Sequence, residues 1–406
     1  MHTNKKCRKR FGRTVSVMAV GALISIGAST ALAHGPGPKP KPFISNFSTV
    51  TQGSPSAPTT GPEAGDLNPY GVWIIPQTVG DLTKGNILVS NFNAASNLQG
   101  TGSSIVQYAP DVQTQTTFAE IDATTVPGGC PGGVGLTTAL VVLRTGWVIV
   151  GSLPTTDGMI DTVGAGCLIV LDAKGTPVET FSGGDINGPW DMTASEDGGK
   201  AQLFFTNVLN GGVATKVADM PVNAGTVVRM TISNPPQGSK MPSVLETTII
   251  GSGFPEENDP AALIIGPTGL GLAGGHGPGP GPHGRGPHGG DEGGGDTLYV
   301  ADSVSSRIAR IDGASHRNSS AGIGVTVSTG GSLNTPLGLT IAPNNDILTV
   351  NGGDGNIVET TPQGNQTATA LIAPAGGGAL FGLAVVPNGS GIYFVDDSEN
   401  QLNLFQ

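Results

Sequence analysis

"NTPLGLTIAPNNDILTVNGGDGNIVETTPQG", residues Asn334 to Gly364, sets two short apolar runs between glycine-rich turns after an opening Pro-Leu-Gly step. The same order recurs along the chain. "NPYGVWIIP", "GNILVSNFN" and "GSSIVQYAP" follow one another from Asn68, and "GGVGLTTALVVLRTGWVIVGSLP" leads to "GCLIVLDAKG" from Gly132. Further copies begin at Asn187, Gly266 and Leu380, giving six units with the quoted one as the fifth. Each reads as a strand, a turn, a second strand ending in a small polar residue, a turn and a third strand. A fourth apolar run, such as "TQTTFAEI" or "TATALIA", follows in the first five. Such a four-stranded unit has two apolar faces and cannot bury both alone, whereas units packed around an axis can. The pattern predicts an all-β fold, a six-bladed β-propeller with four-stranded antiparallel blades. The sixth unit ends at Gln406 without a fourth strand. "KPFISNFSTVTQ", Lys41 to Gln52, has the length and alternation to supply it and close the ring.

The stretch "DTLYVADSVSSRIARID", Asp296 to Asp312, resembles the NHL-repeat signature, in which a strand ends in Ala-Asp and the next contains Arg-Ile. The other units resemble divergent NHL blades more loosely. The resemblance implies propeller architecture over most of the chain. Proteins of that architecture include binding platforms, streptogramin lyases and gluconolactonase-type hydrolases, and a shared fold does not choose among them.

The start of the chain has a different character. Lys5, Lys6, Arg8, Lys9, Arg10 and Arg13 precede the uncharged run Thr14 to Thr30, and Ala31-Leu32-Ala33 supplies a small-x-small cleavage pattern. This reads as a secretory signal peptide over residues 1–33, followed by a Pro/Gly-rich linker at 34–42 and a single propeller domain at 43–406. The expected product is an exported monomer, periplasmic or extracellular, with no membrane span. Six of the 19 Lys+Arg lie in the leader, so 13 bases face 30 Asp+Glu in the remainder. That balance repels phosphate backbones and argues against nucleic acid as a partner. Cys130 and Cys167 follow the leader, and an exported pair is more often joined than free, which favours a disulfide over two separate thiols.

Aligned second strands put Asn91, Ser152, Asn207, Asp302, Asn351 and Asp396 at equivalent ends, on the face shared by the B–C turns and the D–A crossovers. Such residues either bond their own turn's backbone N–H groups or line the mouth of the central channel. Asp185, Asn187, Trp190 and Asp191 enter the same face from a crossover, with Trp190 a stacking platform or a lid on the core. The opposite face carries a Gly/Pro/His-rich insertion at 274–295, whose His276, His283 and His288, with His316, form a weak candidate metal site. Asp/Asn-rich turns such as "NGGDGN" also admit a structural Ca²⁺. A lactonase would need a carboxylate–amide–carboxylate metal set at the channel mouth, and a lyase a general base. No motif supplies either outright. The expectation is therefore an exported non-catalytic platform that binds a protein, peptide or glycan through the B–C face. The alternative is a hydrolase or lyase of lactonase or streptogramin-lyase type.

Overall fold

A computed structural model describes residues 41–210, 220–274 and 296–406. The leader, nearly all of the linker and the histidines of the insertion lie outside the described residues.

Six antiparallel sheets form, one per repeat. Blade 1 comprises strands A to D at Leu67–Ile74, Ile87–Asn93, Ser104–Tyr108 and Gln115–Glu120. Blade 2 runs through Leu136–Val142, Val148–Ser152, Cys167–Leu171 and Pro177–Ser182. The inner A strands touch one another in a complete circuit, with blade 1 against both blade 2 and blade 6. Burial falls from axis to rim. Every residue of the quoted unit's B strand, Ile347–Asn351, is buried, while its outer strand Gln366–Leu371 alternates between half-buried and exposed. Period-two patterning therefore survives only where one face meets water.

The Gly of the Pro-Leu-Gly step has a steric cause. A Cβ on Gly338 would lie 1.9 Å from the Phe381 carbonyl oxygen, and one on Gly382 would lie 2.3 Å from that of Tyr70. Neighbouring inner strands thus pack backbone against backbone. All six A–B pairs also carry a register shift near the start of strand A, among them those between Pro69 and Gly71, Pro189 and Met192, and Leu380 and Leu383. A bulge re-aims the side chains it skips. Here those include Tyr70, Trp190 and Phe381.

The ring closes through the N-terminal segment as expected, but with a shorter strand. Only Val50–Thr51 pairs, with Phe405 and Leu404 of Gln401–Phe405. Upstream, Phe43–Asn46 turns into a 3₁₀ helix because Phe43 and Ile44 bury against blades 5 and 6. The cysteines are joined, with Cα atoms 5.5 Å apart, and the bond clamps the crossover before blade 2 to that blade's third strand. Such a bond is in keeping with an oxidising compartment. No helix among the described residues is long and apolar enough to cross a membrane.

Blade 3 departs from the repeat. Its outer strand, Val244–Asp259, outruns its neighbours, and Leu263–Ile265 turns back on it through Glu257–Ile265 and Asp259–Leu263 pairs. This extra hairpin, residues 256–266, is a strap across the B–C face.

Candidate functional site

The inner-strand bulges deliver aromatic side chains to the channel mouth. Tyr70 and Phe381 stack with ring centroids 3.8 Å apart, Tyr70 and Phe92 at 4.6 Å, and Trp190 lies 6.1 Å from both Tyr70 and Phe381 with nearly parallel planes. The strap seals them. Ala262, Leu263 and Ile264 pack on the rings, and three strap carbonyls accept bonds from side chains below. Trp190 Nε1 donates to Ile264 O at 2.8 Å, Gln99 Nε2 to Pro260 O at 2.9 Å, and Tyr70 Oη to Ala261 O at 3.4 Å. Trp190 is thus part of a covered core and its indole N–H is satisfied, as buried Trp requires.

The repeated polar residues at the ends of the B strands serve mainly to bind the crossovers. Asn207 Oδ1 accepts from Asn187 N and Gly188 N, both at 2.9 Å, and Asn187 Nδ2 reaches Asn210. Asn207 Nδ2 donates back to Asp185 O at 3.0 Å. Asn351 Oδ1 accepts from Asn334 N at 3.1 Å, Ser152 Oγ from Gly135 N at 3.0 Å, and Asn91 Nδ2 donates to Ser56 O at 3.0 Å. Asp302 is claimed by Arg307, whose Nε and Nη2 lie 3.0 and 2.8 Å from Oδ2. Asp396 Oδ1 accepts from Ser398 N at 3.1 Å. The six positions sit at equivalent places in their own blades, and each is engaged by local partners.

Metal-holding geometry is absent from this set. Among the described residues no three His, Cys, Asp or Glu side chains come together as a metal-holding group. His316 lies exposed in a short 3₁₀ turn, Ala314–His316, on the opposite face, while His276, His283 and His288 fall outside the described residues. In "NGGDGN", Asp354 bonds Asn351 Nδ2 and Asn356 N, so the turn satisfies itself.

Two acids near the axis behave differently. Asp191 is buried in the blade 3 inner strand, and burial raises its carboxyl to about 7. Both of its oxygens are used, Oδ2 by Leu270 N and Oδ1 by Met192 N, each at 2.8 Å. It is a tie between blades 3 and 4. Asp397 is raised to about 7 by burial, with the charge of neighbouring Asp396 adding. Its Oδ1 is shielded from solvent and has no hydrogen-bond partner within the protein. The charges of Asp397 and Asp259 both bear on the Tyr70 hydroxyl, which burial holds in its protonated form well above the usual phenol range.

The sequence signal for Asp397 lies one residue past the repeated polar position. There blades 1, 2 and 3 have the buried apolar Phe92, Leu153 and Val208, blades 4 and 5 the small Ser303 and Gly352, and blade 6 an acid, Asp397.

No protein-family model matches the chain, and no curated protein matches it. Solved structures do. A gluconolactonase from Xanthomonas campestris is 13% identical with a TM-score of 0.48, covering 88% of this chain and 97% of that one. An aldose sugar dehydrogenase from Streptomyces coelicolor in its PQQ-bound form is 13% identical with a TM-score of 0.49, again covering 88% and 97%. A virginiamycin B lyase from Staphylococcus aureus is 12% identical with a TM-score of 0.41, covering 86% and 82%. At such identities the likeness concerns fold and assigns no substrate. All three carry enzyme names, and the expectation of a non-catalytic platform is corrected on that finding; what is shown of this chain itself is a six-bladed propeller.

Proposed function

We propose that the chain is a propeller hydrolase or lyase, of lactonase or streptogramin-lyase type, that works from the B–C face with Asp397 as its general base. The observation that carries this reading is the Asp397 carboxyl, raised to about 7, with one oxygen unclaimed by the protein and a charge that bears on the Tyr70 hydroxyl. A base is most effective when its pKa lies near the working pH. In a hydrolysis, Asp397 takes a proton from water as the water oxygen attacks the ester carbonyl, and returns it to the departing alkoxide. In an elimination, it takes the proton adjacent to the ester while the carboxylate leaves.

The NHL-like character of Asp296 to Asp312 and export by way of the leader belong to the same proposal, supported by the repeat spacing and the Cys130–Cys167 bond. Its test is turnover of sugar lactones and streptogramins, with and without added divalent cations, by the parent and by Asp397→Asn. The substitution is expected to lower kcat by about 10²–10⁴-fold while the thermal transition persists. Unchanged turnover in that variant, or no turnover of either class by the parent, overturns the reading.

A further inference from the structure

The closing segment has an anchor apart from its short strand. Glu359, in the third strand of blade 5 (Asn356–Thr360), is fully buried, and its carboxylate accepts from two consecutive backbone amides of the N-terminal segment. Phe43 N lies 2.7 Å from Oε1 and Ile44 N 2.8 Å from Oε2. Two N–H donors on one carboxylate form a charge-assisted clasp, stronger than neutral pairs of the same length. Asn344 Nδ2 bridges this clasp to a second acid, at 3.0 Å from Glu359 Oε1 and 3.0 Å from Asp346 Oδ2. Asp346 sits in the A–B turn of the same blade, and among the described residues Glu359 is the charged group that acts on it. The amide can satisfy both acids but cannot neutralise them.

We infer that Asp346 is a pH-sensitive latch on ring closure, holding the N-terminal segment down when protonated and loosening it when ionised. Protonated Asp346 donates to Glu359 and leaves a single negative charge for the Phe43 and Ile44 amides to solvate. Ionised Asp346 sets a second carboxylate beside the first, in a site the docked segment keeps partly dry. Undocking lets water screen the pair. The docked state therefore binds the proton more tightly, and its advantage is lost as pH rises through the range where Asp346 ionises. Burial, and then the Glu359 carboxyl, push Asp346 up to about 6, which places the window between about pH 4 and pH 6.

Hydrogen exchange on the propeller from pH 4 to pH 8 tests this, with each amide corrected for its intrinsic rate. Protection at Phe43, Ile44 and Thr51 is expected to fall about tenfold across the window, a value reduced from the full shift because Asp346 is only half-buried. Ala384, on the inner strand of blade 6, and Val350, on the second strand of blade 5, serve as references. Asp346→Asn should flatten the profile at the segment and leave the references unmoved. A slope that survives in Asp346→Asn, a segment whose protection does not vary with pH, or equal changes at segment and references each overturn the latch. None of these readouts depends on turnover, so the latch and the enzyme reading fail separately.

Discussion

Asp191 and Asp397 share a raised pKa and differ in what their oxygens touch. Asp191 accepts from Leu270 and Met192, so Asp191→Asn places an NH₂ group against a backbone donor and is expected to cost about 2–3 kcal/mol. Asp397 has an unclaimed oxygen and a like charge beside it. Asp397→Asn should raise the unfolding free energy at pH 8 by about 1–3 kcal/mol and change little at pH 5, where the acid is already neutral. Chemical denaturation at the two pH values separates the two cases, and a stabilising Asp191→Asn would refute the tie between blades 3 and 4. Residue types alone singled out Asp191 through "GGDINGPWD" but not Asp397. The latter stands beside Asp396, and a doubled acid after a strand reads as turn chemistry until the blades are superposed.

At the scale of elements, the repeat was legible because strand B ends in Asn, Ser or Asp in every unit, which fixes register without coordinates. The strap was not. Glu256 to Asp259 look like a polar turn and "ALII" like the start of the next blade, so nothing local distinguishes a returning hairpin from a crossover. The difference lies in the partners, since Leu263 and Ile264 are buried in a cluster that includes aromatics contributed from blades 1, 3 and 6. Replacing Glu257 to Ile264 with a short Gly/Ser turn should leave the blades folded and uncover Trp190. The expected result is a red-shifted, acrylamide-quenchable indole in a Trp73→Phe, Trp147→Phe background. An unchanged spectrum would mean that the strap does not shield the ring.

At the scale of the whole molecule, six carboxyls among the described residues rest in sites that raise them, Asp191 and Asp397 to about 7, Asp346 to about 6, and Glu63, Asp66 and Glu257 by burial. Each folded-state value exceeds the unfolded one, so the folded chain holds more protons and stability falls as pH rises from about 4 to about 7. The net charge of −11 pushes the same way. A melting midpoint higher at pH 5 than at pH 8 is the expected outcome, and the reverse order would show that other groups dominate. The ring itself carries a kinetic corollary. Gly53 and Asn403, which bond across the closing blade, are separated by 350 positions. A ribosome must therefore release almost the entire domain before the circle can be sealed, and a nascent chain emerges as a string of unfastened petals. Its last few residues, Gln401 to Phe405, complete a cooperative whole in a single late event.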